Sequence, residues 1–77
     1  MDKLQKLILQ YERKIKIVLL NIEKQRSVVK AELKRCREEG LLAIANPGYI
    51  YEYKECQELE NKLLMLKQVK KDLEGLQ

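Results

Sequence analysis

Apolar side chains recur along the first half of the chain at alternating spacings of four and three residues. The series runs through Leu4, Ile8, Tyr11, Ile15, Val18, Ile22, Val29 and Cys36, and it is interrupted at Gln25 and Glu32. At about 100° per residue, these positions fall on one side of a helix, together with Leu7, Leu19 and Leu33. They predict an amphipathic helix over about residues 2–39, with a heptad-like seam along one face.

Signals for the end of this helix lie just before the middle of the chain. Its last turns carry the cations Lys34, Arg35 and Arg37, and Gly40 follows. Cations are favoured at the negative end of the helix dipole, and glycine readily adopts the left-handed conformation that closes a helix. We therefore expect the helix to end at Gly40.

The apolar residues after Gly40 leave two arrangements open. The first helix either continues through Gly40 as far as Ala45, or it ends at Gly40 and leaves a turn over about residues 40–46. We expect the second arrangement, with Leu41 and Ile44 packed over the open end of the hairpin.

A second helix is predicted over about residues 47–74. Asn46 is a good N-cap and Pro47 suits the first helical position. The apolar stripe of this helix consists of Cys56, Leu59, Leu63, Leu66 and Leu73, flanked by Tyr49, Met65 and Val69 and interrupted by Lys70. A short linker returns the second helix antiparallel to the first. The predicted fold class is all-α, an antiparallel two-helix hairpin that forms one domain over residues 1–77.

The sequence has more apolar side chains than two seams require. Leu9, Ile17, Leu20, Val28 and Ala31 project away from the seam of the first helix, and Ile50, Tyr53 and Leu64 away from that of the second. An apolar cluster rimmed by cations is typical of a protein interface. We therefore predict a partner-binding site that comprises Leu9, Arg13, Ile17, Leu20, Lys24, Val28, Tyr53 and Leu64.

Three tyrosines alternate near the start of the second helix. Successive members of the set are about 200° apart around a helix, and we expect that Tyr49, Tyr51 and Tyr53 do not form one platform. Tyr49 is assigned to the edge of the core, Tyr51 to solvent and Tyr53 to the partner-binding site.

Composition excludes several classes of chemistry. The 77 residues include no histidine, which removes the commonest general base and the commonest metal ligand. Cys36 and Cys56 lack the spacing of a zinc or redox motif, and two thiolates do not complete a zinc site. We expect no enzymatic activity, no catalytic residues, no cofactor and no metal.

The two cysteines are expected to be buried thiols. If the first helix ends at Gly40, Cys36 and Cys56 are offset along the hairpin by ~10 Å, too far for a disulfide. If the helix continues to Ala45, the two residues face each other. A reducing cytosol also favours the thiols.

The charge pattern argues against nucleic acid and membrane as partners. The formal net charge is +4, but acidic residues interrupt the basic first half throughout and only Tyr11 offers a stacking surface there. The apolar runs fall far short of the ~20 residues that cross a bilayer, and no signal peptide pattern is present at the start. We expect a cytoplasmic protein without membrane insertion.

The residues around the turn and along the second helix resemble a known family. A Lys/Arg-rich helix that ends at Gly40, a loop with Pro47 and Tyr49, and the positions Leu59, Glu60, Leu63, Met65, Leu66, Val69, Asp72 and Leu73 are similar to the small helical-hairpin chaperone subunits of bacterial type III secretion systems, the YscE/PscE-like family. The resemblance covers about residues 15–74. It implies a subunit that pairs with a larger tetratricopeptide-like co-chaperone and so keeps a needle subunit soluble in the bacterial cytoplasm.

Two other classes of function remain open. A structural coiled-coil assembly element, such as a homo-oligomeric bundle or an ATPase-stalk or export component, requires sustained heptads, and Gln25, Glu32 and Lys70 interrupt those present. A homo-oligomer of the isolated chain is compatible with either class. A nucleic-acid-binding helical arm is the third class, and it would show a steep salt dependence of binding.

Overall fold

Two long helices joined by a short turn form the computed structural model, which describes residues 2–77. Helix α1 spans Lys3–Glu38, a 3₁₀ turn spans Ala43–Ala45 and helix α2 spans Pro47–Glu74. Ion pairs join Arg26 to Glu60 and Glu12 to Lys70, so the end of α2 lies beside the beginning of α1. The helices are antiparallel, and the predicted all-α hairpin is confirmed.

Each helix begins at a capping side chain close to the predicted position. Asp2 Oδ1 accepts a hydrogen bond from the backbone N–H of Gln5 at 2.7 Å, and Asn46 Oδ1 accepts one from that of Tyr49 at 3.2 Å. Both caps satisfy an N–H group that has no partner within its own helix. Pro47 occupies the first turn of α2, as expected.

Gly40 ends α1 in a left-handed conformation with φ of 70°. The N–H of Leu41 donates to the carbonyl of Cys36 at 2.8 Å, and that of Gly40 donates to the carbonyl of Arg37 at 3.3 Å. This pair of bonds is a Schellman motif, which stops the helix and turns the chain. The alternative in which the first helix continues to Ala45 is therefore wrong.

The apolar turn does not cover the open end of the hairpin. Leu41 is about half exposed and Ile44 is 81% exposed, so the prediction that both pack inward is wrong. The reason is the 3₁₀ turn, which the sequence analysis did not predict. It directs the small side chain of Ala43 toward the helices, where it is half-buried, and leaves Leu42 and Ile44 facing solvent.

The core is a narrow seam between the helices. Val18 and Ile22 of α1 and Leu66 of α2 form its centre, and four half-buried side chains pack around them, namely Tyr11, Ile15, Leu59 and Leu63. All seven belong to the predicted seams. The remaining buried apolar residues are Ile8 toward one end and the two cysteines toward the other.

Polar residues that interrupt the seams have partners within the hairpin. Lys70 Nζ lies 3.5 Å from Glu12 Oε1 on the other helix and 3.3 Å from Glu74 Oε1 on its own. The hydrogen bond to Glu74 is the main cause that raises the pKa of Lys70. Glu32 pairs with Arg35 at 3.0 Å. These interruptions are compatible with a hairpin because each charge is paired.

Both cysteines are buried and neither forms a disulfide, as expected. Burial is the main cause that raises the pKa of the Cys56 thiol, and the nearby carboxylate of Glu60 adds to it. The neutral thiol is thereby favoured, which is the opposite of the environment of a reactive cysteine.

Candidate partner-binding surface

Exposed apolar side chains outnumber buried ones in the part of the chain that the structure describes. Between residues 2 and 77, six apolar residues are buried, whereas fifteen large apolar residues are exposed. The exposed set is Leu7, Leu9, Ile17, Leu19, Leu20, Val28, Leu41, Leu42, Ile44, Ile50, Tyr51, Tyr53, Leu64, Met65 and Leu76. Singly exposed leucines are ordinary, whereas contiguous exposed apolar patches are typical of interaction sites.

The outer face of α1, which points away from α2, carries a regular row of six residues. They are Leu9, Arg13, Ile17, Leu20, Lys24 and Val28, at successive spacings of four, four, three, four and four. Such spacings place residues along one face of a helix. We call this set the α1 outer face; its two central members, Ile17 and Leu20, are 59% and 58% exposed.

Two cations divide the apolar members of this row. Arg13 and Lys24 are exposed, and neither forms an ion pair with another residue within the described range 2–77. The neighbouring cation Arg26, by contrast, is bound to Glu60 at 3.1 Å. The positive charge of the α1 outer face is therefore not neutralised within the hairpin.

Grooves lie on both sides of this face, where the two helices meet. The larger has a volume of about 530 Å³ and is lined by Lys16, Leu19, Leu20, Ile22, Glu23, Arg26, Glu60 and Leu63. The smaller has a volume of about 290 Å³ and is lined by Lys14, Ile17, Val18, Lys62 and Leu66. Leu20 thus borders one groove and Ile17 the other, so a partner seated on the α1 outer face reaches both.

The predicted site does not form a single surface. Tyr53 and Leu64 are exposed as expected, but they lie on the side of α2 that faces away from α1. Residues that point away from the seam on each of two packed helices point in opposite directions. The six predicted residues on α1 therefore form one surface, and Tyr53 and Leu64 belong to another.

The second surface includes residues that the sequence analysis did not assign to a partner. A shallow cleft is lined by Ile44, Tyr49, Ile50, Tyr53, Lys54 and Gln57. The rings of Tyr49 and Tyr53 are stacked with centroids 5.9 Å apart. Two steps of about 200° sum to about 400°, so these two rings point only about 40° apart. Tyr49 and Tyr53 thus share a surface, which the sequence analysis did not predict, whereas Tyr51 is not part of it.

The larger groove also contains residues that the periodicity assigned to the seam. Leu19 is about half exposed and Leu63 is half-buried, and both line the groove. Leu19 lies at the flank of the α1 seam, about 60° from its centre, and Leu63 lies about 30° from the centre of the α2 seam. Each packs on one side and is open on the other. The sequence signal that could have placed Leu19 in the groove was its position at the margin of the apolar stripe.

Residues 2–77 show neither a cluster of metal ligands nor a helix that could span a membrane. No group of three or more cysteine, aspartate or glutamate residues within 2–77 is arranged to hold a metal ion. In the same range, neither helix contains a stretch that is both long and apolar enough to cross a bilayer. Comparison with models of protein families, with curated proteins and with solved structures yields no match for this chain.

Proposed function

We propose that this chain is a protein-binding subunit of a hetero-oligomer and that it binds its partner through the α1 outer face. The observation that carries the proposal is the exposure of Ile17 and Leu20 between the unpaired cations Arg13 and Lys24. An apolar centre with a charged rim fits a partner groove of apolar character edged by acidic residues.

The row also constrains the partner's geometry. Arg13 and Lys24 are eleven residues apart, or about 16 Å along a helix. The partner is expected to present acidic side chains at two places with this separation and an apolar surface between them. Ion pairs of this kind at a rim add mainly to the rate of association and to specificity, whereas the buried apolar centre supplies most of the affinity.

The same row argues for a different protein, rather than a second copy, as the partner on this face. Its spacings are symmetric about the midpoint between Ile17 and Leu20. In an antiparallel two-fold contact, Arg13 of one copy would therefore lie against Lys24 of the other. Like charges in a desolvated contact destabilise it, so a partner with acidic residues fits this face better.

The proposed role is that of a chaperone or co-chaperone subunit. The small size, the hairpin and the short capped turn support a subunit of the type III secretion kind, which pairs with a larger helical-repeat co-chaperone and so keeps a needle subunit soluble in the bacterial cytoplasm. A thin core and an exposed apolar face fit a subunit that is completed by its partner.

Co-expression with proteins encoded beside this chain tests the proposal. Tagged wild-type chain is expected to co-purify with a helical-repeat protein in a 1:1 ratio. The double variant Ile17→Glu, Leu20→Glu should lose the partner, because the free-energy cost of burying two unpaired carboxylates is far larger than the free energy that the remaining contacts supply. The matched control is Leu64→Glu, Met65→Glu, which places two carboxylates on exposed positions of α2.

The outcomes separate the two faces of the hairpin. Both variants should retain the helical circular dichroism of the wild type, since all four positions are exposed. Retention of the partner by the Ile17 and Leu20 variant, with loss by the α2 variant, would move the binding site to α2 and contradict the proposal.

A further inference from the structure

The outer side of α2 carries a stripe of four residues that the proposed partner contact does not use. The stripe consists of Ile50, Tyr53, Gln57 and Leu64, at spacings of three, four and seven residues. These are the spacings of a heptad seam. We infer that this stripe is a contact between two copies of the chain, which pack their α2 helices antiparallel about a two-fold axis at Gln57.

The apolar members of the stripe are available for such a contact. Ile50 and Tyr53 are each 46% exposed and Leu64 is 66% exposed. The Gln57 amide donates a hydrogen bond to the Tyr53 hydroxyl at 3.3 Å, which holds both side chains along the stripe. Stacking on Tyr49 further restricts the Tyr53 ring. Side chains ordered in advance lose less entropy when a contact forms.

The stripe is complementary to itself when it is reversed. Ile50 and Leu64 are each seven residues from Gln57. With the two-fold axis at Gln57, Ile50 of each copy therefore packs on Leu64 of the other, at both ends of the contact. The two Gln57 amides meet at the axis, where each group can donate one hydrogen bond and accept another. A single polar pair at the centre of an apolar seam fixes register and orientation.

Charge distinguishes this stripe from the α1 outer face. The four members of the stripe are uncharged, and the heptad position that they skip between Gln57 and Leu64 is Glu60, which pairs with Arg26 of its own chain. With the axis at Gln57, Glu60 lies opposite Lys54 of the other copy, a charge of opposite sign. Two copies joined here bring no pair of like charges into the seam. The α1 outer face, in contrast, would oppose Arg13 to Lys24. The exposed α2 stripe is therefore suited to a second copy, and it leaves the α1 outer face free for a different partner.

The length of the contact sets its expected strength. From Ile50 to Leu64 the stripe covers about 21 Å of helix. A contact between single helices of this length is small among specific interfaces, so we expect a reversible dimer with micromolar affinity rather than a permanent one.

Sedimentation equilibrium of the purified chain tests the inference. The apparent mass is expected to rise from 9.2 kDa toward twice that value as the concentration increases from ~5 to ~500 µM. The double variant Ile50→Glu, Leu64→Glu should sediment as a monomer at all of these concentrations. The control Ile17→Glu, Leu20→Glu should self-associate as the wild type does. A wild type that remains monomeric, or an α2 variant that still dimerises, would overturn the inference.

A cross-linking experiment tests the register without weakening the contact. Gln57→Cys places a thiol at the two-fold axis and should form disulfide-linked dimers rapidly under mild oxidation. The matched control is Gln68→Cys, another exposed glutamine of α2 that lies beyond Leu64 and far from its own symmetry mate. Equal or faster cross-linking of the Gln68 variant would contradict the antiparallel register. Neither experiment involves the other partner, so the inference can fail while the proposed function stands.

Discussion

Gln25 of α1 donates both hydrogens of its amide to Glu52 of α2, one to the backbone oxygen at 2.9 Å and one to the carboxylate at 2.6 Å. Both side chains are partly buried. A polar pair that is satisfied only in one alignment penalises every other alignment of the two helices. The residue that breaks the apolar seam thus fixes its register.

The coupling between these two residues is measurable by a double-mutant cycle. Gln25→Leu alone should lower the free energy of unfolding, because it leaves the Glu52 carboxylate partly buried without its donor. The change to Leu at both positions should restore much of that loss. We expect a coupling free energy of about 1–2 kcal/mol from urea unfolding. Additive effects of the two single changes would show that the hydrogen bonds contribute little.

Two leucines of α2 that lie two residues apart, and so point to opposite sides of the helix, provide a test of the core. Leu66 is 7% exposed and packs between Val18 and Ile22, whereas Leu64 is 66% exposed. Leu66→Ala should cost about 2–5 kcal/mol and leave much of the isolated chain unfolded at room temperature. Leu64→Ala, measured at a concentration low enough to keep the chain monomeric, should change stability by less than about 0.5 kcal/mol. Similar losses for the two variants would contradict the seam.

The Schellman motif predicts a difference between two glycines. Gly40 has φ of 70°, a conformation in which an L side chain is strained even though no atom lies within 4 Å of the added Cβ. Gly40→Ala should therefore lower the free energy of unfolding by about 1–2 kcal/mol. Gly75 has φ of −66°, so Gly75→Ala should be neutral. Thermal melts of the two variants make the comparison, and a neutral Gly40→Ala would exclude the left-handed cap.

The thiol of Cys56 predicts a pH dependence of stability above its ordinary pKa of 9.0. In the folded chain the pKa is raised by burial, whereas in the unfolded chain the thiol ionises near its ordinary pKa. Between these two pKa values the unfolded chain has lost a proton that the folded chain retains, so stability should fall as the pH rises. Urea midpoints at pH 8 and pH 9.5 should differ less in Cys56→Ala than in the wild type. An equal difference in both would show that this thiol is not the cause.

Sequence periodicity predicted the helices and their seams because these depend on local spacing. The seam positions from Ile8 to Leu66 follow from the repeat of apolar residues, and the caps at Asn46 and Gly40 follow from residue chemistry. The direction of the apolar turn did not follow. Nothing local distinguishes an inward from an outward Ile44, because its position is set by how the 3₁₀ turn fits between the two helix ends.

The exposure of the candidate site residues was predictable from the sequence, but their grouping into surfaces was not. Each of the eight residues is exposed, as its angle on its own helix indicates. Whether Leu20 and Leu64 share a surface depends on how the helices face each other. The antiparallel packing puts these two leucines on opposite sides of the hairpin. This separation divides the predicted site into the α1 outer face, proposed for a different protein, and the α2 stripe, proposed for a second copy.

We propose that the hairpin is incomplete without a partner, and urea unfolding of the purified chain tests this proposal. Followed by circular dichroism at several protein concentrations, the isolated chain should unfold with a free energy of no more than about 3–5 kcal/mol, the range that a core of this size supports. The urea midpoint should rise with concentration as copies associate. A chain that remains monomeric, unfolds cooperatively with more than about 8 kcal/mol and shows no dependence on concentration would contradict the account.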